Sequence, residues 1–315
     1  MSVMRMLLAR GALALAALCA AAALLAQGGR WNARLDVLTH FAPLYLAGGL
    51  LAALLALAGS RDSRRASLVL GAVAAVSAGA LIAPEFLRSA GPTAEPGAPG
   101  EIKVIAFNVW RGNPDTARAV DWLNAQHADV IMLEEVSFRL RDMMRARGWV
   151  TAGDLSSIMI FTRQTYILMD RPPVPRTVQL TFVNATYASA NGPMELVVTH
   201  SEWPVSPAHA TQAAALRSVL RALPRRRMIL AGDFNSTPWS FRRRRDDVAL
   251  GLIRRDRALA TWPARPIGGL RLPFPILPLD HLYAGPGWAT TSVARGPALG
   301  SDHYPLIVTL APVGP

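Results

Sequence analysis

Three apolar runs crowd the chain ahead of Gly91, at residues 6–26, 38–58 and 68–87, and they constrain the fold more than any other feature. A bilayer core needs about 20 consecutive apolar residues, and each run approaches that length. The first alone could serve as a signal peptide fronted by Arg5 and Arg10, but two more follow at short spacing and would stay in the membrane. Three transmembrane helices over residues 1–88 are therefore expected. No ionisable residue lies deep in any run, and His40 is near an end, so the block reads as an anchor rather than an ion pathway.

Short loops let orientation be read from basic residues. Arg5, Arg10, Arg61, Arg64 and Arg65 fall on one side, and Arg30, Arg34 and Arg88 on the other. The bias puts the N-terminus in the cytoplasm and, after three crossings, the rest of the chain outside it. Trp31 and Tyr45 lie close to expected helix ends, where aromatic rings favour the interface. Residues 89–100, rich in Pro and Gly and without periodicity, read as a linker.

The remainder, residues 101–312, is long enough to bury one sizeable core. The hydrophobic content of 51% and mean hydropathy of +0.25 owe their excess to the first region. Cys19, the one cysteine, sits in an apolar run, so disulfide frameworks and thiolate metal clusters are excluded. Residues 101–315 hold 25 Lys plus Arg against 17 Asp plus Glu, about +8 of the formal +12. That balance suits a phosphate-bearing substrate or an anionic membrane surface. An Arg-rich, Lys-poor background composition explains it equally well.

Short apolar or alternating runs at residues 102–107, 129–133, 157–161, 179–183, 194–199, 227–231, 279–283 and 305–310 predict strands. Asn113-Pro114 and Ser206-Pro207 place a capping residue before Pro, as at helix starts, and Pro224 stops the second helix. Strands with interspersed helices predict a four-layer αββα sandwich: two mixed sheets with helices outside.

Polar residues recur at the strand ends, where a rigid scaffold can present side chains to a cleft. They are Asn108, Glu135, His200, the run Gly232-Asp233-Phe234-Asn235, Asp280-His281, and Ser301-Asp302-His303. Each alone has a structural reading as turn residue, cap or solvated carboxylate. Together, in this order, they form a set.

The series Phe-Asn-Val, Leu-Glu-Glu-Val, Thr-His, Gly-Asp-Phe-Asn-Ser-Thr-Pro-Trp, Leu-Asp-His and Ser-Asp-His-Tyr-Pro-Leu resembles the endonuclease/exonuclease/phosphatase superfamily. The resemblance covers nearly all of residues 101–312, and the anchor ahead of them looks like that of a bacterial subgroup. It implies a hydrolase of phosphoester bonds, held in a bacterial inner membrane. Glu135 matches the metal-ligand glutamate, with Asn108 and Asp302 beside the same ion, and oxygen-only ligands suit Mg²⁺ or Mn²⁺. His303, held by Asp280, would activate water, with Asp233 as the competing base. Asp233 and Asn235 would orient the water, and His200 would donate to the phosphate.

Glu134 stands where a Gln commonly precedes the metal glutamate, with its side chain expected on the other strand face. Tyr187 reads as a structural tyrosine more than as a phosphate ligand. Trp239, Arg242 and Arg243 are candidates to contact substrate, by stacking and by phosphate pairing, or else to pack and to form a solvated helix face. Nucleic acid is the first expected substrate and partner, and a phospholipid or inositol phosphate the alternative. A membrane-tethered module that binds phosphate ligands without turnover is the reading from another class.

Overall fold

The computed structural model describes residues 3–58, 61–153, 157–169, 172, 174, 178–189 and 191–314. It divides into two compact units: Met1–Arg88 with Thr237–Arg245, and Ser89–Ser236 with Asp246–Pro315.

In the first unit, helices α1 (Val3–Gln27), α2 (Ala33–Thr39), α3 (Ala42–Leu55) and α4 (Arg61–Leu87) follow one another. Two of them are long and apolar enough to cross a membrane, or three spans result if α2 and α3 count as one. The second expected run, residues 38–58, is thus broken: α2 starts earlier, capped by Asn32, and the axis bends by 56° before α3, where Pro43 occupies the first turn. Packing inside this bundle uses small residues. Ala12, Ala16, Cys19 and Ala23 of α1, Gly49 and Ala52 of α3, and Ala74 and Ala78 of α4 are buried, whereas Leu18, Leu24, Leu50, Leu54, Val69 and Val76 point outward. Where α3 crosses α4, a Cβ on Gly71 would stand 2.8 Å from the Gly49 carbonyl oxygen, so only glycine allows that approach.

The second unit contains two sheets. Strands β1 (Ile102–Asn108), β2 (Val130–Glu134), β3 (Val150–Ala152), β4 (Met159–Thr162), β10 (Trp288–Arg295) and β11 (Leu306–Pro312) form one, ordered β10-β11-β1-β2-β4-β3. Strands β5 (Thr181–Tyr187), β6 (Met194–His200), β7 (Met228–Asp233), β8 (Ile253–Arg254) and β9 (Asp280–Ala284) form the other, ordered β5-β6-β7-β9-β8. Both are mixed: β1 and β2 run parallel, as do β6 and β7, and the remaining pairs are antiparallel.

Strand alternation divides the apolar residues between layers. Val104 and Ala106, Val130 and Met132, Leu196 and Val198, Ile229 and Ala231, and Leu282 and Ala284 meet between the sheets with Leu306, Val308 and Leu310. Residues of opposite parity in the first sheet, such as Ile105, Phe107, Ile131 and Leu133, pack under α5 (Thr116–Ala125) and α6 (Phe138–Arg145). Val197, Leu230 and Tyr283 of the second sheet pack under α7 (Ala208–Arg221). Each buried Val, Leu, Ile, Phe or Met among them contributes about 1.5–3 kcal/mol, and the four layers are those the periodicity predicts.

Helix starts shift slightly from expectation. Asn113 holds the loop before α5, accepting from the Asp115 amide and donating to the carbonyls of Val109 and Leu299, and the helix begins only at Thr116. Part of segment 89–100 is pinned rather than free, because the Thr290 and Ala94 amides donate across an isolated bridge at Thr93. The buried Arg255 guanidinium gathers the carbonyls of Gly285 and Trp288, and its side chain occupies the space above Gly91. Helix α8 (Phe241–Leu250) begins in the first unit, with residues 237–245, and ends in the second.

Candidate active site

The same alternation that builds the inter-sheet core also builds the site. Continuing each inward row by one more residue gives Asn108 on β1, Glu134 on β2, His200 on β6 and Asp233 on β7, and Asp280 opens the inward row of β9. Because β1 and β2 run parallel, as do β6 and β7, these last residues of each pair come together at the sheet edge. Antiparallel β9 and β11 begin at that edge, which brings in Asp280 and the segment Ser301–His303.

Gly232 makes the β6–β7 approach possible. Its φ is +152°, and a Cβ there would fall 1.8 Å from the Thr199 carbonyl oxygen, so no other residue fits ahead of Asp233.

A chain of short contacts runs through the cluster. His303 Nδ1 lies 2.8 Å from Asp280 Oδ2, which also accepts the Thr261 hydroxyl at 2.5 Å. His303 Nε2 points the other way, 3.5 Å from Asp233 Oδ2, and His200 Nε2 is 3.7 Å from the same oxygen. Asn108 Nδ2 donates to Asp233 Oδ2 and to Glu135 Oε1, both at 3.2 Å. Asn235, at φ +47°, donates from its side chain to the Ser201 carbonyl and from its amide to Asp233 Oδ1. Ser301 donates its hydroxyl to the Asn108 carbonyl and accepts the His303 amide, and Trp262 Nε1 donates to Asp302 Oδ2.

The His303 imidazole is buried, which alone would push its pKa down. The carboxylates of Asp280 and Asp233, the hydrogen bond to Asp280 and the charge of Asp302 outweigh that and push it up to about 10.

Glu134 differs from expectation. It is completely buried between the sheets, and neither carboxylate oxygen has a hydrogen-bond partner among the described residues. Burial, with the nearby Asp280 and Asp233, raises its pKa well above the ordinary range. Glu135 leaves the strand pattern through a left-handed backbone at φ +55°, and its Oε2 accepts the Arg111 amide at 3.3 Å. Both acids therefore sit at the cluster, one beneath it and one in the cleft.

A cleft of about 250 Å³ opens over these groups, lined by Asn108, Glu135, His200, Asp233, Asn235, Asp302 and His303 together with Thr181, Ser201, Glu202 and Trp203. Among the described residues, four carboxylates and two imidazoles line it and no Lys or Arg does, so from these groups a phosphate anion meets net negative charge unless a cation intervenes. Asp233, Asp280 and His303 offer ligand atoms all within 4.8 Å of one another. Their closeness is already explained by the His303–Asp280 hydrogen bond, which a cation would have to break. Glu135, Asn108 and Asp302 also line the cleft and carry side-chain oxygens, the kind of donor a hard divalent ion prefers.

Trp239 is buried at 4% exposure, and its indole N–H donates to the His40 carbonyl, so the packing reading of this residue is the one the structure displays. Arg243 is buried and Arg242 half-buried, and neither lines the cleft. Tyr187 lies in the inter-sheet core. Sequence reasoning missed Trp203, an indole 54% exposed in the cleft, because a lone Trp after a strand carries no motif. It also missed Asp256, which lies 2.7 Å from His281 Nδ1, while His281 Nε2 is 2.9 Å from the Ser236 carbonyl oxygen. Thr261 gave no signal either, since its role depends on a contact 19 residues away.

A sequence profile described as the Endonuclease/Exonuclease/phosphatase family matches residues 105–303. Comparison with curated proteins gives no match. Among solved structures, an endonuclease/exonuclease/phosphatase from Beutenbergia cavernae aligns with 68% of this chain and 72% of its own, at 19% identity and a TM-score of 0.54. A family protein from Leptotrichia buccalis covers 67% of this chain and 99% of its own at 15% identity and a TM-score of 0.53. D. rerio TDP2 complexed with a single-strand DNA product covers 67% and 99% at 17% identity and a TM-score of 0.51. At these identities the likeness is one of fold.

Proposed function

Because the chain belongs to the endonuclease/exonuclease/phosphatase family, whose members hydrolyse phosphoester bonds, we propose that it is a divalent-metal phosphodiesterase and, within that class, a nuclease. The observation that supports the metal requirement is the lining of the cleft: four carboxylates, with no Lys or Arg among the described residues. Glu135, Asn108 and Asp302 would hold the ion, with Mg²⁺ or Mn²⁺ suiting an all-oxygen set. When bound, such an ion supplies the positive charge that offsets the phosphate and makes bound water more acidic.

The protein's own groups divide the remaining work. Asp280 fixes the His303 ring through Nδ1 and turns Nε2 toward Asp233, so the pair would orient the attacking water, with Asp233 taking its proton while the protonated His303 ring supports it. Asn235, locked by its bonds to Ser201 and Asp233, and His200 beside it present N–H donors where charge builds on the phosphoryl oxygens. Products would be a phosphomonoester and an alcohol. The exposed Trp203 ring at the cleft supports a substrate with planar bases, which favours nucleic acid over lipid.

Two arrangements follow as part of the same reading. Residues 1–88 would anchor the hydrolase domain, residues 101–312, in a bacterial cell membrane. The excess of Arg5, Arg10, Arg61, Arg64 and Arg65 would keep their side cytoplasmic and the hydrolase domain outside.

The test is hydrolysis by the full-length protein in detergent, with Mg²⁺ or Mn²⁺, of single- and double-stranded DNA and RNA beside phospholipid and inositol-phosphate panels. His303→Ala should lower kcat by roughly 10²–10⁴-fold, and EDTA should abolish turnover. Turnover of lipid alone would move the substrate to that class. Wild type and variant behaving alike on every panel would end the proposal.

A further inference from the structure

Helix α8 begins badly by its own sequence. Its first turn carries no acidic residue and instead Arg242, Arg243, Arg244 and Arg245, positive charge at the positive end of the helix dipole. Ser240, the residue before it, accepts the Arg243 amide at its hydroxyl, which leaves the amides of Phe241 and Arg242 to be satisfied. Asp36 of α2, within the same compact unit, satisfies them. Its Oδ1 accepts the Phe241 amide at 2.8 Å, and its Oδ2 accepts the Arg242 amide at 3.0 Å and the Ser240 hydroxyl at 2.9 Å.

His40, one turn further on, takes the next stretch. Its Nδ1 accepts the Thr237 amide at 3.1 Å and lies 2.8 Å from the Thr237 hydroxyl, and its carbonyl accepts the Trp239 indole N–H at 3.1 Å. Asp36, His40, Thr237, Trp239 and Ser240 are all buried, so each of these bonds replaces one to water.

We infer that Asp36 and His40 are positioning residues for the hydrolytic reaction. They hold the segment Thr237–Arg242, which continues directly from the turn carrying Asp233 and Asn235, so that α2 and the residue after it fix the chain where that turn ends. The residue joined to the end of that turn, Thr237, is the one His40 binds. From its own side the turn is held by His281 at the Ser236 carbonyl. An anchor that only tethers would have no need of a buried carboxylate serving three donors in another part of the chain.

The inference rests on the hydrolytic reading for its effect on rate, but not for the contact itself. Full-length wild type, Asp36→Ala, Asp36→Asn, His40→Ala and the exposed control Arg34→Ala are compared in detergent micelles. Two readouts are taken: kcat and KM on bis(p-nitrophenyl) phosphate with Mg²⁺ or Mn²⁺, and amide hydrogen exchange. Asp36→Ala should lower kcat about 10- to 100-fold with KM within about twofold, since misplacement of positioned groups acts on rate. Exchange should rise in peptide 237–245 and stay unchanged in 102–108. Asp36→Asn, which keeps one acceptor, should fall between, and Arg34→Ala should match wild type.

Unchanged protection of 237–245 and unchanged kcat in Asp36→Ala would overturn the inference. If that variant fails to fold, Asp36→Asn and His40→Ala decide by the same criteria. Wild type without turnover but with variant-sensitive exchange would sink the hydrolase reading and leave the scaffold contact standing.

Discussion

The two units of this molecule bury opposite kinds of residue. In the helical bundle, mostly alanine, glycine and Cys19 face inward, with Leu81 the one fully buried large aliphatic residue among those described, while most leucines and valines are partly or largely exposed; between the sheets, Leu196, Ile229, Leu282 and Trp288 are enclosed. Water rewards enclosing large apolar groups, whereas lipid is as apolar as leucine and rewards only close helix contact. The small-residue interior is of the kind lipid favours, and two or three of the helices are apolar and long enough to cross a membrane.

Substitutions can break that contrast. Gly71→Leu should have the largest effect, because its Cβ alone would stand 2.8 Å from a backbone oxygen of α3. The single buried thiol, Cys19, would then react with maleimide many times faster in micelles; an unchanged labelling rate would contradict the packing described. Next, Leu196→Ala between the sheets should cost about 2–5 kcal/mol. Leu54→Ala on the outside of the bundle should leave its helix packing intact. Thermal unfolding of the hydrolase unit and Cys19 labelling separate the two. Equal losses from both would remove the distinction.

The smallest expected effect concerns polar groups within the enclosed core. Glu134 has a raised pKa, so the folded state keeps its proton at a pH where the unfolded chain has released it. Its contribution opposes folding increasingly as pH climbs above the ordinary glutamate value of about 4.3. Glu134→Gln, measured with EDTA present, should raise the melting temperature by a few degrees at pH 7–8 and change it little at pH 4, since about 1 kcal/mol shifts a domain of this size by 2–4 °C. A difference that does not grow with pH would refute this account of Glu134.

Much of the hydrolase unit was legible from the order of residues alone. All eight expected strands correspond to observed ones, because an inward row such as Val104-Ala106-Asn108 announces itself by period two. Strand β10 escaped notice: it alternates little, and most of its second half is exposed along the sheet edge. β3 and β8, three and two residues long, offer too few positions for any periodicity. In the bundle, apolar length located the helices, but the 56° bend depended on Pro43 and on Asn32 as a cap inside a longer polar-to-apolar transition. The site's motif residues do converge on one cleft. Asp256 and Thr261, which hold His281 and Asp280, and Asp36, which caps α8, are single polar residues whose partners lie far along the chain, and no local pattern marks them.

One consequence follows from Asn108, Glu134, His200 and Asp233 being the final rungs of rows that otherwise hold leucine, valine and alanine. A deletion or insertion of one residue inside those strands that no bulge absorbs would turn over the part of the row beyond it, sending the chemistry away from the cleft and outward-facing side chains into it. Length is thus under tighter control than composition within the sheets. Novelty in this scaffold has room to arise only in the loops beyond the last rung, where additions leave the register untouched.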